Sequence, residues 1–394
     1  MNVRLDWLIV GGGIHGVHIA ARLIADAGVD PKALRIVDPG QRLLSRWRTC
    51  TAVTGMKHLR SPVVHHIDLE PWALENFAGD HGGRALGLFA APYDRPALDL
   101  FNDHCDHVVE TFGLADLHIR DRATTCSVDC DQVTVQLASG QEVTARNIVL
   151  ALGAGERPEW PDWAPREDER IAHVFDPDFD RWPDSPETVA VVGGGISAGQ
   201  VALRLLDEGH RAHLVSRHPL RRHQFDSDPG WLGPKFMTDF SRERNYDRRR
   251  ALITEARHKG SVPPDVYRAL RRAIDDGQLL WHKSEVLELD GRGPEALALR
   301  LSTQEEVAVN RVLLATGFAA TRPGGSLVDD LIASASLPCA GCGFPIVDSG
   351  LRWHPRVHVS GPLAELELGP VSRNIAGARR AGNRLVDAVV RPSE

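Results

Sequence analysis

The stretch from Trp7 to Asp38 limits what this chain can fold into more than any other. Four apolar residues, Trp7 to Val10, run into Gly11-x-Gly13-x-x-Gly16, and Val17, Ala20, Ala21 and Ile24 follow at helical spacing. That order predicts a buried strand, a glycine turn and an amphipathic helix. A second apolar run, Leu34 to Val37, ends in Asp38, 22 residues after Gly16. In a dinucleotide-binding unit Gly11 permits the tight turn, Gly13 lets the backbone approach a pyrophosphate and Gly16 lets the helix pack on the strand. Asp38 then accepts from a ribose hydroxyl.

The unit recurs. Thr188 to Val192 predicts a strand, Gly193-x-Gly195-x-x-Ala198 its turn, Gln200 to Leu206 the helix and His213 to Val215 the second strand. A single glycine triplet is weak evidence, but an internal repeat of the whole unit is strong. The copies differ where the second strand ends: the first has Asp38, the second Ser216-Arg217, with Arg221 and Arg222 close behind. A carboxylate suits a free 2′-hydroxyl, whereas a hydroxyl and a guanidinium suit a 2′-phosphate. The second site is therefore expected to bind NADPH through Gly193, Gly195, Ser197, Ser216 and Arg217; a surface arginine beside a loop is the alternative.

A length of 394 residues gives room for two or three cores, and 42% apolar with 25% charged residues fits a soluble globular protein. The net charge of -7 offers no footprint for nucleic acid, and Arg221-Arg222, Arg248 to Arg250 and Arg379-Arg380 read mostly as solvated helix faces. No apolar stretch reaches bilayer length, and Asp6 with the first strand leaves no space for a signal peptide, so a cytoplasmic location is expected. Six scattered cysteines suit reduced thiols. The expected partners are a small-molecule substrate and O2, without nucleic acid or membrane, and a homo-oligomer is compatible with the sequence.

Between the units, Pro39 to Leu69 is a long excursion with little periodicity, and Arg95 to Phe112 predicts a helix. Asn147 to Leu152 predicts a buried strand leading into Gly153. Six prolines between Pro158 and Pro186 mark a linker. Arg222 to Asp276 is an aromatic, turn-rich insertion, and Arg311 to Ala315 a buried strand expected to return the chain to the first unit at Thr316-Gly317-Phe318. The resulting expectation is an α/β protein with two Rossmann-like domains. Residues 1–155 and 310–394 form one, 156–186 a linker, and 187–309 the other, with an insertion at 218–276.

With Leu314-Ala315-Thr316-Gly317-Phe318 following two glycine units, the pattern resembles the class B flavoprotein monooxygenases, and within them the lysine and ornithine N-hydroxylases. The resemblance implies an FAD domain with an inserted NADPH domain. It implies that NADPH reduces FAD, that O2 adds at flavin C4a, and that the hydroperoxide delivers one oxygen to a nucleophile, with N-hydroxylation favoured. Trp47, nine residues after Asp38, is similar to the acid-to-Trp spacing of related flavin monooxygenases, and Met56-Lys57-His58-Leu59 resembles the stretch lying against the flavin ring. Lys57 is thereby the candidate catalytic neighbour of the flavin. Gly153, Thr316 and Gly317 are candidate cofactor contacts, and Gly369-Pro370 the candidate helix start at flavin N1. Where the family has an Asn-Tyr pair for substrate, this chain reads Lys259-Gly260-Ser261-Val262, so a basic-amino-acid pocket does not carry over.

Two other readings stay open: a flavin reductase or oxidase without oxygen insertion, and a nucleotide-binding sensor that is not an enzyme. Cys339-x-x-Cys342 would be half a zinc site or a redox pair, but a second pair at matching spacing is missing, and no metal is expected. The oxygenase reading expects Lys57 and the insertion to meet over the flavin; the sensor reading expects the insertion to project as an apolar patch.

Overall fold

Two parallel sheets, one per glycine unit, organise the computed structural model, which describes residues 5–80, 82, 86–291, 293 and 296–391. In the first unit β1 (Leu5–Val10), α1 (Ile14–Ala25), β2 (Leu34–Asp38), α2 (Ser45–Thr54), β3 (His118–Arg120) and β4 (Glu142–Leu150) follow in order. The second contains β5 (Ile171–His173), β6 (Thr188–Val192), α3 (Ile196–Asp207) and β7 (Arg211–Ser216). It continues through α4 (Pro234–Arg242), α5 (Tyr246–Ala256), α6 (Pro264–Asp275), β8 (Leu279–Lys283) and β9 (Arg311–Leu314). The chain then returns with β10 (Val357–Val359) and α7 (Ile375–Val390).

The first sheet has the parallel order β10-β4-β1-β2-β3; the hairpin Ala123–Val128/Val133–Leu137 joins β4 antiparallel, and Arg352–His354 flanks β10. The second sheet is β8-β7-β6-β9-β5, wholly parallel. Strands buried on both faces read as continuous apolar runs, which is why Leu8, Ile9 and Val10, and Val189 to Val191, are withdrawn from solvent.

Two expected boundaries are corrected by this order. The strand ending in Thr316-Gly317 does not rejoin the first unit, because β9 pairs with β6 in the second sheet. The proline-rich linker is not wholly irregular either, since β5 pairs with β9 from Val312↔Ile171 to Leu314↔His173. Within the expected insertion, α6 packs against α3 through Val266 and Leu270, which meet Gly199, so it belongs to the nucleotide unit itself. The insertion proper is the segment around α4 and α5. Its Trp231, Met237, Phe240 and Ile253 share a buried cluster with Ala340, Phe344, Leu366 and Val371 of the first unit. It therefore lies inward and does not project as an apolar patch.

The excursion after Asp38 contains a helix the sequence pattern did not announce. α2 has no single apolar stripe because its few apolar residues meet two different cores, Trp47 the first unit's and Cys50 and Val53 the second's, while Arg48 bonds Asp106 at 2.6 Å and Arg46 donates to the Gly155 carbonyl at 2.9 Å. Arg204 of α3 caps its end, donating to the Ala52 and Val53 carbonyls at 3.2 and 2.9 Å while lying 3.8 Å over the Trp182 ring. These bonds tie the second unit to the first. Among the described residues no helix is long and apolar enough to cross a membrane.

Candidate functional site

Both glycine turns have the same build. Gly11 N–H donates to Val37 at 2.8 Å and Gly193 N–H to Val215 at 2.9 Å. Gly11 has φ +110 and Gly193 φ +151, and a Cβ at either would strike the carbonyl of the alanine just past the third strand, Ala151 or Ala315. Ala151-Leu152-Gly153 and Ala315-Thr316-Gly317 are thus the same position in two copies, and the second closes the second glycine unit. A Cβ on Gly16 would run into the Gly11 carbonyl, whereas at Gly13 a Cβ meets nothing within 4 Å. Gly13 borders open space at the N-terminus of α1, where unpaired N–H groups favour a pyrophosphate. Gly195 occupies the same place on α3, facing Gly260 Cα at 3.7 Å from the Cβ position, and Ser197 lies partly exposed in that helix's first turn.

Asp38 is held by the backbone: its two carboxylate oxygens accept from Gly12 N–H at 2.7 Å and Gly40 N–H at 2.8 Å. Each oxygen keeps a further lone pair, so the residues present fit the adenosine half of FAD.

The other expected contact residues lie in varied surroundings. Ser216 is 2% exposed; its hydroxyl donates to the His218 carbonyl at 3.0 Å and accepts from the Trp281 indole at 3.0 Å, leaving it no role at a phosphate. Arg217 instead reaches solvent, its side chain 78% exposed and 3.9 Å from Glu285. Lys57 lies at the surface. Its side chain is 79% exposed and pairs at 2.9 Å with Asp207, at the end of α3 opposite the glycine turn. Trp47 packs in the first core, with its ring centroid 5.3 Å from that of Phe101 and its indole N–H on Asn102 at 3.0 Å. Gly153 is exposed just beyond β4, while the Thr316 hydroxyl donates to the Glu159 carbonyl and Gly317 accepts from Glu159 N–H at 2.9 Å, so this loop serves to anchor the linker. Gly369-Pro370 is not the helix start. A 3-10 turn, Pro370–Arg373, intervenes, and Asn374 caps α7 by accepting from Gly377 N–H.

α7 runs beside α1 in the same direction. His15 hydrogen-bonds the backbone of Asn374, the residue that caps the start of α7, and Gly382 further along packs on His18. Burial lowers the pKa of His15 to about 4 and that of His18 to about 3, so both are neutral near pH 7. The two helix N-termini thus lie side by side, the first at the pyrophosphate turn.

The sequence reading missed the charges that join the insertion to this end of the molecule. Arg249 and Arg250, read as a solvated face, turn inward: Arg249 bonds the Leu366 carbonyl at 2.8 Å and Glu367 at 3.1 Å, and Arg250 pairs with the wholly buried Glu365. Arg379 and Arg380 likewise bond backbone carbonyls, of Leu69 and of Trp231. On the facing wall Arg60 donates to the Gln224 and His223 carbonyls at 2.7 and 2.8 Å and to Ser261 Oγ at 2.9 Å, which draws the excursion onto the insertion. Asp226 lies within electrostatic range of Arg60 and Arg257. One signal was present in the sequence: three consecutive arginines in a segment whose aromatics need burial cannot all face water.

A family model described as FAD-NAD(P)-binding matches residues 8–155, and one described as pyridine nucleotide-disulphide oxidoreductase matches residues 101–251. No curated protein matches the sequence. Among solved structures, the ornithine N-hydroxylase of Kutzneria sp. 744 superposes with a TM-score of 0.79 at 18% identity, covering 98% of this chain and 99% of its own. This is the fold of the flavin-dependent N-hydroxylases. The cadaverine monooxygenase of Erwinia amylovora gives 0.76 at 16% identity, covering 100% and 97%. The L-lysine 6-monooxygenase of Pseudomonas syringae gives 0.73 at 18%, covering 99% and 100%. The likeness in fold spans the whole chain, and so extends through the insertion.

Proposed function

We propose that the chain is an FAD-dependent, NADPH-consuming monooxygenase that transfers one oxygen atom of O2 to a small nucleophile, with an amine nitrogen the favoured acceptor. The observation that carries this reading is the full-length likeness to three amine or amino-acid hydroxylases, which includes the inward-folded insertion. FAD, when bound, supplies the redox chemistry; this chain's residues bind, orient and exclude water. Gly13 and Asp38 would hold its pyrophosphate and ribose, Gly195 and Arg217 would hold the diphosphate and 2′-phosphate of NADPH, and Arg204 would keep the two nucleotides in fixed relation. The Arg60 bonds to residues 223 and 224 seal the seam where a substrate would sit between the units.

Within the reductase reading, reduction of a disulfide would require a reactive thiol, and reactive thiols have lowered pKa values. Burial raises Cys50, with Arg46 opposing, and also raises Cys339, which packs against the first sheet. Neither has the signature of a redox nucleophile. Among the described residues there is also no cluster of histidine, cysteine and acidic side chains arranged to hold a metal.

The deciding experiment mixes NADPH-reduced protein with oxygenated buffer and a panel of small amines and basic amino acids, and counts hydroxylamine and hydrogen peroxide against NADPH consumed. Hydroxylamine formed in proportion to NADPH is expected. Peroxide equal to NADPH with every amine would make the protein an oxidase, and equal turnover with NADH would remove the NADPH assignment.

A further inference from the structure

The two glycine turns carry different groups at the place where a ribose would lie. In the first, a Cβ on Gly12 would come within 3.2 Å of the Asp38 carboxyl carbon. In the second, a Cβ on Gly194 would come within 2.7 Å of His218 Cε1 and 3.1 Å of its Nε2, closer than the 3.3 Å to Ser216 Cβ. Asp38 ends β2 and Ser216 ends β7, so the two are equivalent in the chain. Yet the group that takes the place of the Asp38 carboxylate is the imidazole of His218, two residues further on. Ser216 fixes the loop that presents it, donating to the His218 carbonyl at 3.0 Å. Gly260 holds the ring from the other side: its φ is +67, and a Cβ there would lie 2.3 Å from Nε2.

The partner of the ring decides its tautomer. Nδ1 lies 2.9 Å from the Pro219 carbonyl, which can only accept, so Nδ1 carries the hydrogen. Nε2 of the neutral ring is then a bare lone pair, and no described residue bonds it. A lone pair accepts from a 2′-hydroxyl but repels a phosphate oxygen. Once it takes a proton, the same nitrogen donates to phosphate in a charge-assisted bond. The charged side chains on the segments around the ring are Arg217, Arg221 and Lys259, whose carbonyl accepts from Arg221 at 3.2 Å, with Glu285 3.9 Å from Arg217; Gly193 to Gly195 bring none. That surplus of positive charge suits a phosphate dianion. We propose that His218, beside Arg217, reads the 2′ position of the nicotinamide nucleotide and takes a proton from solvent onto Nε2 when a 2′-phosphate binds. The inference rests on the second unit binding NADPH as proposed above.

The test counts the protons exchanged when the full chain binds NADP+ or NAD+, by calorimetric titration at pH 7.5 in two buffers of different ionisation enthalpy. A phosphate monoester loses its second proton at about pH 6, so at pH 7.5 the cations around it draw none in, and uptake belongs to the protein. Binding of NADP+ should take up about half a proton, where NAD+ takes up none. His218→Gln keeps a polar group that takes no proton. It should abolish the uptake and weaken NADP+ about tenfold, with NAD+ little changed. His218→Asp gives the second turn the acid of the first and should lower the preference for NADP+ over NAD+ about a hundredfold. No uptake with NADP+ in the parent overturns the proposal, as does uptake that survives in His218→Gln or an unchanged preference in His218→Asp. Equal weakening of both nucleotides in His218→Gln would make the ring a structural prop and also overturns it. A parent protein that binds neither nucleotide overturns the functional reading itself, whereas one that binds NADP+ without proton uptake overturns only this inference.

Discussion

The carboxylate of Glu365 is closed to solvent and accepts from both Nε and Nη2 of Arg373, at 2.7 and 3.0 Å. The two residues sit eight apart on the segment entering α7, and Arg250 of the insertion closes the carboxylate from the other side. Truncating Arg373 removes the partner that makes two bonds to the buried carboxylate and leaves Arg250 and Arg257 to meet its charge in part, which costs more than losing a surface pair. Arg373→Met is expected to lower stability by about 3 kcal/mol, read from urea denaturation followed by tryptophan fluorescence. A loss near zero would mean that Arg250 alone satisfies the carboxylate.

Gly13 and Gly11 differ in a way that separates binding from folding. A side chain at Gly11 meets the Ala151 carbonyl in a left-handed backbone, whereas one at Gly13 enters open space. Gly13→Asp should keep the native circular dichroism spectrum and weaken FAD binding by about a hundredfold, because a carboxylate competes for the N–H groups meant for the pyrophosphate. Gly11→Asp should fail to fold. Titration of the apoprotein with FAD, followed by quenching of flavin fluorescence, checks the first, and unchanged affinity would move the pyrophosphate elsewhere.

Ser216 and Arg217 are adjacent and should respond oppositely. Arg217→Ala removes an exposed guanidinium and should raise KM for NADPH by about tenfold to a hundredfold, the worth of a charge-assisted contact to phosphate, with KM for NADH little changed. Ser216→Ala should leave both KM values alone and cost about 1 kcal/mol of stability, since it strands the Trp281 indole N–H. Steady-state kinetics with the two nucleotides reads the first effect and thermal unfolding the second.

Acid should destabilise the first unit through its buried histidines. Burial lowers His15, His65 and His66 to about 4 and His18 to about 3, from an ordinary value near 6.5. The unfolded chain therefore takes up protons at a higher pH than the folded one. Stability is fully present above about pH 6.5 and falls as pH drops from there toward 4, by about 1.4 kcal/mol per pH unit for each histidine. Going from pH 7.5 to 5.5 should remove about 5 kcal/mol from these four together. His18→Gln should flatten the profile by its single share, and equal urea midpoints at the two pH values would show that the rings are hydrated.

Some of this was legible in the residues alone. Both glycine turns, their strands and their helices follow from local facts: a run of apolar residues, a backbone that only glycine adopts, a Cβ that has no room. The helix expected at Arg95 to Phe112 forms at Leu98–Thr111, with Phe101, Cys105 and Val108 buried as its 3.6 period requires. α2 escaped notice because a helix whose few apolar residues divide between two cores has no single apolar stripe to reveal it.

What periodicity does not encode is which distant partner a long polar side chain will reach. Lys57 matched a motif, yet its ammonium lies in water beside Asp207, 150 residues away. Arg250 looked like a surface charge, yet it turns inward to Glu365 because the insertion must bury Trp231 and Phe240 against the first unit. The strand Arg311–Leu314 carries an apolar pattern that would suit either sheet, and only its pairing with Thr188–Val192 assigns it to the second. The sequence by itself determined the two nucleotide cradles, since turn geometry and strand burial are properties of consecutive residues. Tertiary packing decided the charge arrangement at the seam, since the energy of a buried ion depends on what the fold brings beside it.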